Sequence, residues 1–369
     1  MKEKVVKDLV HGYISLDDNI QKIVDTAVFQ RLRRIKQLTC ALIFPSVNHT
    51  RYEHSLGVMK LACDFFDTIK KDLMDFGKSE RDTDILKMNL KYAALLHDIG
   101  HPPYSHLGEK FYDKNEIFRN IKNEFESTID VEKVFKNEEG NIVGKEHELM
   151  SCYCLIKKFH SVLKNIDSSL DTAFICRIII GNFYEDTKKN WAENIMIEII
   201  NSKAIDVDKL DYLMRDNLMT GDIAPKIDVK RLLASLSIGK DKKLKYIAKA
   251  LPAIQSVVDS RDLLYMWVYH HHISIYTEYI LGEMIKHSIK LFNEEKGKYP
   301  EEMNIEDYFS CKAITDNLVT DDDIYSHLRK AYILSLENKT SSYTAVLAKQ
   351  IFERDFLKYI RSTACIPFS

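Results

Sequence analysis

The segment Leu95-Leu96-His97-Asp98-Ile99-Gly100-His101-Pro102-Pro103-Tyr104-Ser105-His106 constrains this chain more than any other. An apolar run at helical spacing leads into it, and a glycine and two prolines then keep the helix from continuing. Within a helix, successive side chains point in different directions. At a helix end, His97 and Asp98 can converge on one cation, imidazole nitrogen beside carboxylate oxygen. Further donors have to come from elsewhere. Arg51-Tyr52-Glu53-His54-Ser55-Leu56-Gly57 offers His54, and Ala204-Ile205-Asp206-Val207-Asp208-Lys209-Leu210-Asp211-Tyr212 offers Asp208. Asp206 is the fallback carboxylate, or else the N-cap of a helix that starts there.

The rest of the composition sets bounds. The chain has 369 residues, enough for one large or two modest domains. A hydrophobic fraction of 45% with 29% charged residues is that of an ordinary globular protein, and a formal net charge of −2 argues against a general polyanion-binding surface. No sequence-specific or nonspecific nucleic-acid binding is expected. The seven cysteines are scattered without paired ligand spacing, which fits a reducing cytoplasm. Neither a signal peptide nor a membrane-length apolar run is visible, so a protein neither secreted nor membrane-spanning is expected.

Scarce glycine and proline and recurrent helical periodicity predict an all-α protein with two small β exceptions. Val5–Asp8 and Tyr13–Leu16 flank His11-Gly12 and read as a hairpin. Short strands around Ser237–Asp241 and Leu244–Ile247 read as a two-stranded insertion. Asp17-Asp18 is expected to cap one helix carrying Ile20, Ile23, Val24, Val28 and Leu32. Further helices are expected to carry His54, Val58, Leu61 and Phe65, to run from about Asp84 to Asp98, and to lie near 147–165, 168–181, 191–201, 208–218 and 252–290. The polar stretch from Asn293 to Pro300 marks a boundary between a core of residues 1–292 and a helical C-terminal lobe of residues 293–369 packed on it.

Mixed imidazole and carboxylate donors suit Fe, Mn, Zn or Co rather than calcium, and such a cation can polarise a phosphate ester. His101 and His106 cannot share one helix face with His97. Pro102-Pro103 forces a turn from which both can fold back over the metal. A departing ester oxygen needs a proton, and histidine titrates near neutrality. His147, in Lys145-Glu146-His147-Glu148, can join them; read alone, it is a solvated helix residue.

The order His, His-Asp, Asp resembles the HD superfamily of metal-dependent phosphohydrolases, with His54, His97, Asp98 and Asp208 as the four ligands. The match narrows over longer strings. Phe29–Leu38, Phe44-Pro45, His49, Arg51, Glu53–Val58, His97–His106, His147, Asp206–Asp216 and Arg261–Tyr269 are similar to the deoxynucleoside triphosphate triphosphohydrolase branch, covering roughly residues 4 to 290. That branch includes bacterial dGTPases and a vertebrate dNTPase with a sterile-alpha-motif domain. The chain starts at the family's hairpin, so that domain is not expected here.

The resemblance implies hydrolysis of a dNTP at the α-phosphorus, releasing deoxynucleoside and inorganic triphosphate. It implies Arg51 and Lys209 on phosphate oxygens, His106 as general acid supported by His147, and His101 beside a phosphate bridged by Mg. Gln37, Leu38, Tyr212, Asp216 and Tyr269 would form the sugar pocket, with Leu38 and Tyr269 crowding the 2′ carbon. Arg261 would add a phosphate contact. It further implies a homo-oligomer (dimer, tetramer or hexamer) activated by GTP or dGTP at Lys4, Val5, Asp25 and Arg33; the plain alternative for Asp25 and Arg33 is a surface ion pair. Pro102-Pro103-Tyr104 and the run from Asp262 to Val268 depart from the family's pattern, and His270-His271-His272 is unusual, read as a phosphate or base contact or as an interfacial cluster. Two other functions stand beside this one. An HD phosphohydrolase of nucleoside monophosphates or cyclic nucleotides would keep the ligands without the sugar pocket, and a non-catalytic nucleotide sensor would need neither His106 nor Lys209.

Overall fold

The structure is a computed structural model and describes residues 4–40, 43–294, 308–337 and 343–356. Strands β1 (Lys4–Asp8) and β2 (Gly12–Leu16) pair antiparallel as the N-terminal hairpin. Gly12 takes a positive φ of 75° in its turn, and Asp8 Oδ1 accepts the N–H groups of Val10 and His11 at 2.9 and 2.8 Å. Helix α1 (Asp18–Val24) is capped by Asp17, but it does not continue to Leu32. Thr26 caps a new helix, α2 (Ala27–Gln30), by accepting Phe29 N–H, and Gln30 Nε2 donates back to Val24 O. Leu32 lies in the 3₁₀ turn Arg31–Arg34 that follows, and since Ile20, Ile23, Val24, Val28 and Leu32 are all buried, the apolar spacing runs through the break.

Helix α3 (Arg51–Asp75) begins at a capping box of Thr50 and Glu53, and α4 (Glu80–Leu96) at one of Ser79 and Asp82. The two pack along each other, their buried faces including Leu61, Phe65, Phe66 and Ile69 from α3 and Leu86, Leu90, Ala93 and Leu96 from α4. The loop after α4 turns sharply at Tyr104 (φ 60°) and Ser105 (φ 51°) into the short α5 (His106–Glu109). Around this pair run α6 (Lys114–Phe125), α7 (Val131–Phe135), α8 (Glu146–Cys154), α9 (His160–Ile166), α10 (Thr172–Ile180), α11 (Trp191–Ile200), α12 (Val207–Thr220) and α13 (Val229–Leu233). Strands β3 (Leu236–Ile238) and β4 (Leu244–Tyr246) form the expected antiparallel insertion.

The expected helix over 252–290 is two helices. α14 (Leu251–Leu264) widens into a π turn at Tyr265–Tyr269, His270 N–H donates to Tyr265 O at 2.8 Å, and α15 (His272–Glu294) starts afresh. A similar π turn at Leu155–Phe159 joins α8 to α9 inside the expected 147–165 helix. Asn293 and Glu294 still belong to α15, and the remainder of the proposed boundary, residues 295–300, lies outside the described residues. Helices α16 (Cys311–Thr315), α17 (Asp321–Glu337) and α18 (Tyr343–Phe352) follow, with α17 and α18 packed on α15.

Two buried side chains join this last part to the front of the molecule. Arg31 donates to Val319 O at 3.0 Å, to Ile99 O at 2.9 Å and to His101 O at 2.7 Å. Asp321 accepts the backbone N–H of Lys36 at 2.9 Å and of Tyr104 at 2.7 Å. The fold is thus a mostly helical bundle with two small hairpins, and no helix among the described residues is long and apolar enough to cross a membrane.

Candidate metal centre and catalytic cleft

His97 occupies the C-cap position of α4, so His97 and Asp98 sit at a helix end and their side chains converge, Nε2 to Oδ1 at 3.4 Å. His54, on the first turn of α3, brings its Nε2 to 3.5 Å from Asp98 Oδ2 and 3.0 Å from Asp208 Oδ1. His97 Nε2 is 3.7 Å from the same Asp208 oxygen. Both Nε2 atoms are buried and make no well-directed hydrogen bond within the protein. Their other nitrogens are engaged: His54 Nδ1 donates to Asp211 Oδ2 at 2.7 Å and His97 Nδ1 to Ala94 O at 2.8 Å. Two imidazoles oriented through Nδ1, with Nε2 lone pairs facing two carboxylates, fit a divalent transition cation with bonds of about 2.0–2.2 Å.

The electrostatics fit as well. Burial opposes charge on His54, but Asp208, Asp211 and Asp98 outweigh it and push its pKa up to about 10. A cage that holds a proton so firmly favours positive charge, and a metal ion competes for the same lone pair. Burial works against the Asp98 carboxylate too, yet Arg51, His97 and His101 hold it well below the usual carboxylate range. Arg51 Nη1 donates to Asp98 Oδ2 at 2.5 Å, and Arg51 Nη2 is buried without a partner. Asp206 takes its N-cap role, accepting Lys209 N–H at 2.7 Å and the Lys209 ammonium.

A second cluster lies beside the first. Glu109 Oε1 is 2.8 Å from His106 Nδ1, 2.8 Å from His147 Nδ1 and 3.5 Å from His101 Nδ1, and the rings of His101 and His147 stack at 4.1 Å. His101 also reaches Asp98 Oδ1 at 3.2 Å, bridging the two clusters. Burial, with Arg51 nearby, drives its pKa well below the usual histidine value, so His101 is neutral at neutral pH. Burial opposes ionisation of Glu109, but hydrogen bonds from His106 and His147 hold it far below the usual carboxylate range. His147 is buried against Glu109 rather than solvated. His106, by contrast, keeps 63% of its side chain exposed.

Both clusters open into a cavity of about 460 Å³. Gln37, Leu38, Arg51, Lys209, Tyr212, Asp216 and Tyr269 line it together with His97, Asp98, His101, His106, His147 and Asp208. Asp216 accepts from Tyr269 OH at 2.6 Å and lies 2.7 Å from His49 Nε2. Gln37 Oε1 is buried without a partner. Burying such an atom unpaired costs about 1–3 kcal/mol, which a ligand donor would recover. His270 is in the lining, whereas the His271 and His272 rings face each other at 4.4 Å. Arg261 is exposed and outside the lining, its guanidinium 5.3 Å from the Tyr265 ring.

The N-terminal residues stand apart from this cavity. Asp25 pairs with Lys4 at 3.6 Å, with half or more of each side chain exposed, rather than with Arg33. Arg33 donates to Gln30 Oε1 at 2.8 Å and lies over the Tyr52 ring at 3.5 Å. Val5, half exposed, lies on the same strand as Lys4.

Sequence reasoning missed Glu109, Lys145 of the cavity wall, and the buried group His11, Asp211, Arg215 and Asp8 behind His54. The one available signal was the spacing of Asp208, Asp211 and Arg215, three and four residues apart on α12.

Residues 51–215 match the HD domain family. Over 299 residues the chain is 32% identical to an uncharacterized protein of Methanocaldococcus jannaschii, covering 79% of this chain and 51% of that one. It is 30% identical over 283 residues to the deoxynucleoside triphosphate triphosphohydrolase SAMHD1 homolog of Dictyostelium discoideum, covering 76% and 48%. The chain therefore spans about half the length of these two relatives. Among solved structures, a hypothetical protein from Aquifex aeolicus superposes with a TM-score of 0.60 at 25% identity, over 96% of this chain and 76% of that one. All four candidate ligands lie inside the segment that matches the HD domain family, and the chain around it is similar to a deoxynucleoside triphosphate triphosphohydrolase homolog.

Proposed function

We propose that this protein hydrolyses deoxynucleoside triphosphates to deoxynucleoside and inorganic triphosphate. The observation that carries the reading is the convergence, on one cavity, of the unpartnered His97 Nε2, an unpartnered Arg51 nitrogen and an unpartnered Gln37 oxygen, with the unpartnered His54 Nε2 directly behind, 3.0 Å from the cavity-lining Asp208. His54, His97, Asp98 and Asp208 would hold a transition metal (Fe, Mn, Zn or Co), which supplies Lewis acidity at the attacked phosphorus. Arg51 offers its free nitrogen to a phosphate oxygen, and Lys209 a point charge once it exchanges Asp206 for substrate. His106 donates a proton to the departing 5′-oxygen, while Glu109 and His147 hold its ring. Neutral His101 lies where a phosphate accompanied by Mg would sit. Gln37 and Asp216 face the 3′-hydroxyl, and Leu38 and Tyr269 close the space at the 2′ carbon.

A homo-oligomer activated by GTP or dGTP near Lys4, Val5, Asp25 and Arg33 belongs to the same reading, as does a cytoplasmic site of action. So does a helical lobe of residues 293–369 seated on the 1–292 core. Support for the lobe comes from Arg31 and Asp321, which tie it to the catalytic loop.

Product analysis tests the reading. Incubation with each dNTP should release inorganic triphosphate, and GTP should turn over far more slowly than dGTP. Monophosphate products would favour the general phosphohydrolase, and equal rates on GTP and dGTP would remove the sugar gate.

A further inference from the structure

The Nδ1 atom of His54, the nitrogen turned away from the candidate metal, leads into a buried network with no role in the reading above. Asp211 Oδ2 accepts from His54 Nδ1 at 2.7 Å, and Asp211 Oδ1 accepts from His11 Nε2 at 2.6 Å. Arg215 forks onto the same carboxylate, Nε to Oδ2 and Nη2 to Oδ1, both at 2.9 Å. Its remaining nitrogen, Nη1, donates to Asp8 Oδ2 at 2.9 Å, and Asp8 Oδ1 closes the hairpin turn on which His11 sits. His54 and Asp211 are fully buried, and Arg215 and Asp8 nearly so.

We propose that His11, at the tip of the N-terminal hairpin, is a positioning residue for the metal centre, acting through Asp211 on His54. A carboxylate that orients a metal-binding imidazole sets both its tautomer and its ring plane. Arg215 alone would neutralise Asp211. What His11 adds is a second donor on Oδ1, from a segment 200 residues away in sequence, which fixes the carboxylate plane and with it the direction of the His54 Nε2 lone pair. Space for this has been kept on α3. A Cβ at Gly57 would fall 1.9 Å from Asp211 Oδ1 and 2.6 Å from Arg215 Nη2, so any larger residue one turn after His54 would displace the network. The hairpin that carries His11 also carries Lys4 and Val5, so a ligand or partner that shifts β1 acts on a metal ligand through one hydrogen-bonded path.

This inference rests on the metal-centre reading, and the test separates the two. Zn²⁺ affinity of the metal-stripped full chain is measured by competition with a chromophoric chelator for wild type, His11→Leu and His11→Gln. His11→Leu should weaken Zn²⁺ binding by about 10–100-fold, and His11→Gln, whose amide nitrogen reaches the place of Nε2, should recover it to within about threefold of wild type. Should the leucine variant not fold, His11→Asn, suited to a turn but too short to reach Asp211, carries the same expected loss. Wild-type Zn²⁺ affinity in a folded His11→Leu or His11→Asn protein, or a glutamine variant as weak as leucine, overturns the positioning role and leaves the metal centre standing. Failure of wild type to take up stoichiometric Zn²⁺ overturns the metal centre, and the positioning role with it.

Discussion

Glu109 Oε1 accepts from His106 Nδ1 at 2.8 Å, which leaves Nε2 as the His106 nitrogen available to a substrate in the cleft. The short helix α5 makes this pair, because residues three apart share a helix face. A general acid needs its ring held and its proton facing the leaving oxygen, and the Glu109 carboxylate, kept ionised by its histidine neighbours against burial, holds the ring.

His106→Ala should therefore lower turnover of a dNTP by about 10²–10⁴-fold. Because the His106 side chain is 63% exposed and its ring is held by Glu109 rather than by a candidate ligand, metal content and unfolding midpoint should stay at wild-type values. Loss of metal along with activity would make His106 a ligand and redraw the centre.

The contrast between His97-Asp98 and Asp211 shows what could be read from the chain. A helix end beside Gly100 and Pro102-Pro103 has local causes, so the His-Asp geometry, the turn after it and the two small hairpins were legible. The stripes of α3 and α4 were legible for the same reason. Glu109 was not, since a short helix between a proline turn and a polar loop has no period to detect. Nor were His11 with Asp211 or Asp321 with Lys36, whose partners lie 200 and 285 residues apart. The helix breaks at Asp25-Thr26 and across Tyr265–His271 also escaped, because apolar spacing continues through them while the backbone bonds change.

Gly57→Ala should be disproportionately costly for a one-methyl change. The added carbon would meet Asp211 Oδ1 at 1.9 Å in a fully buried ion network that cannot move aside without releasing Arg215 or His54. Overpacking usually costs about 1–3 kcal/mol, and breaking a buried charge pair about 3–5 kcal/mol, so a loss of several kcal/mol is expected. Denaturant unfolding of the two proteins measures it; a loss below about 1 kcal/mol would show that α3 and α12 can separate freely.

Asp25→Ala should abolish stimulation of dATP hydrolysis by GTP while leaving the unstimulated rate near wild type. Asp25 is outside the cleft lining, and its side chain makes an exposed ion pair with Lys4, worth at most about 1 kcal/mol. Stability should thus be unaffected. Stimulation that persists in both Asp25→Ala and Arg33→Ala would place the activating nucleotide elsewhere, or nowhere.

The last expectation concerns pH and the buried Asp321. Burial is the largest influence on this carboxyl and raises its pKa to about 6, against the pull of the Lys36 and Tyr104 N–H groups that it accepts. A carboxyl whose folded pKa exceeds its unfolded value binds protons more tightly when folded, so stability from this group is fully present below about pH 4 and is lost as pH rises through about 6. Other carboxylates, Glu109 among them, have the opposite slope, so the comparison must be with a variant that cannot titrate at this position. Asp321→Asn is that variant, although an amide can accept only one of the two N–H groups with its oxygen and will be less stable at low pH. Between pH 7 and pH 4.5, wild type should gain on Asp321→Asn by about 2 kcal/mol in denaturant unfolding, the larger part of what a carboxyl raised from 3.8 to about 6 can contribute. A constant difference across that range would mean that Asp321 does not titrate there. A difference that shrinks as pH falls would mean that the Lys36 and Tyr104 N–H groups outweigh burial and hold the carboxyl ionised.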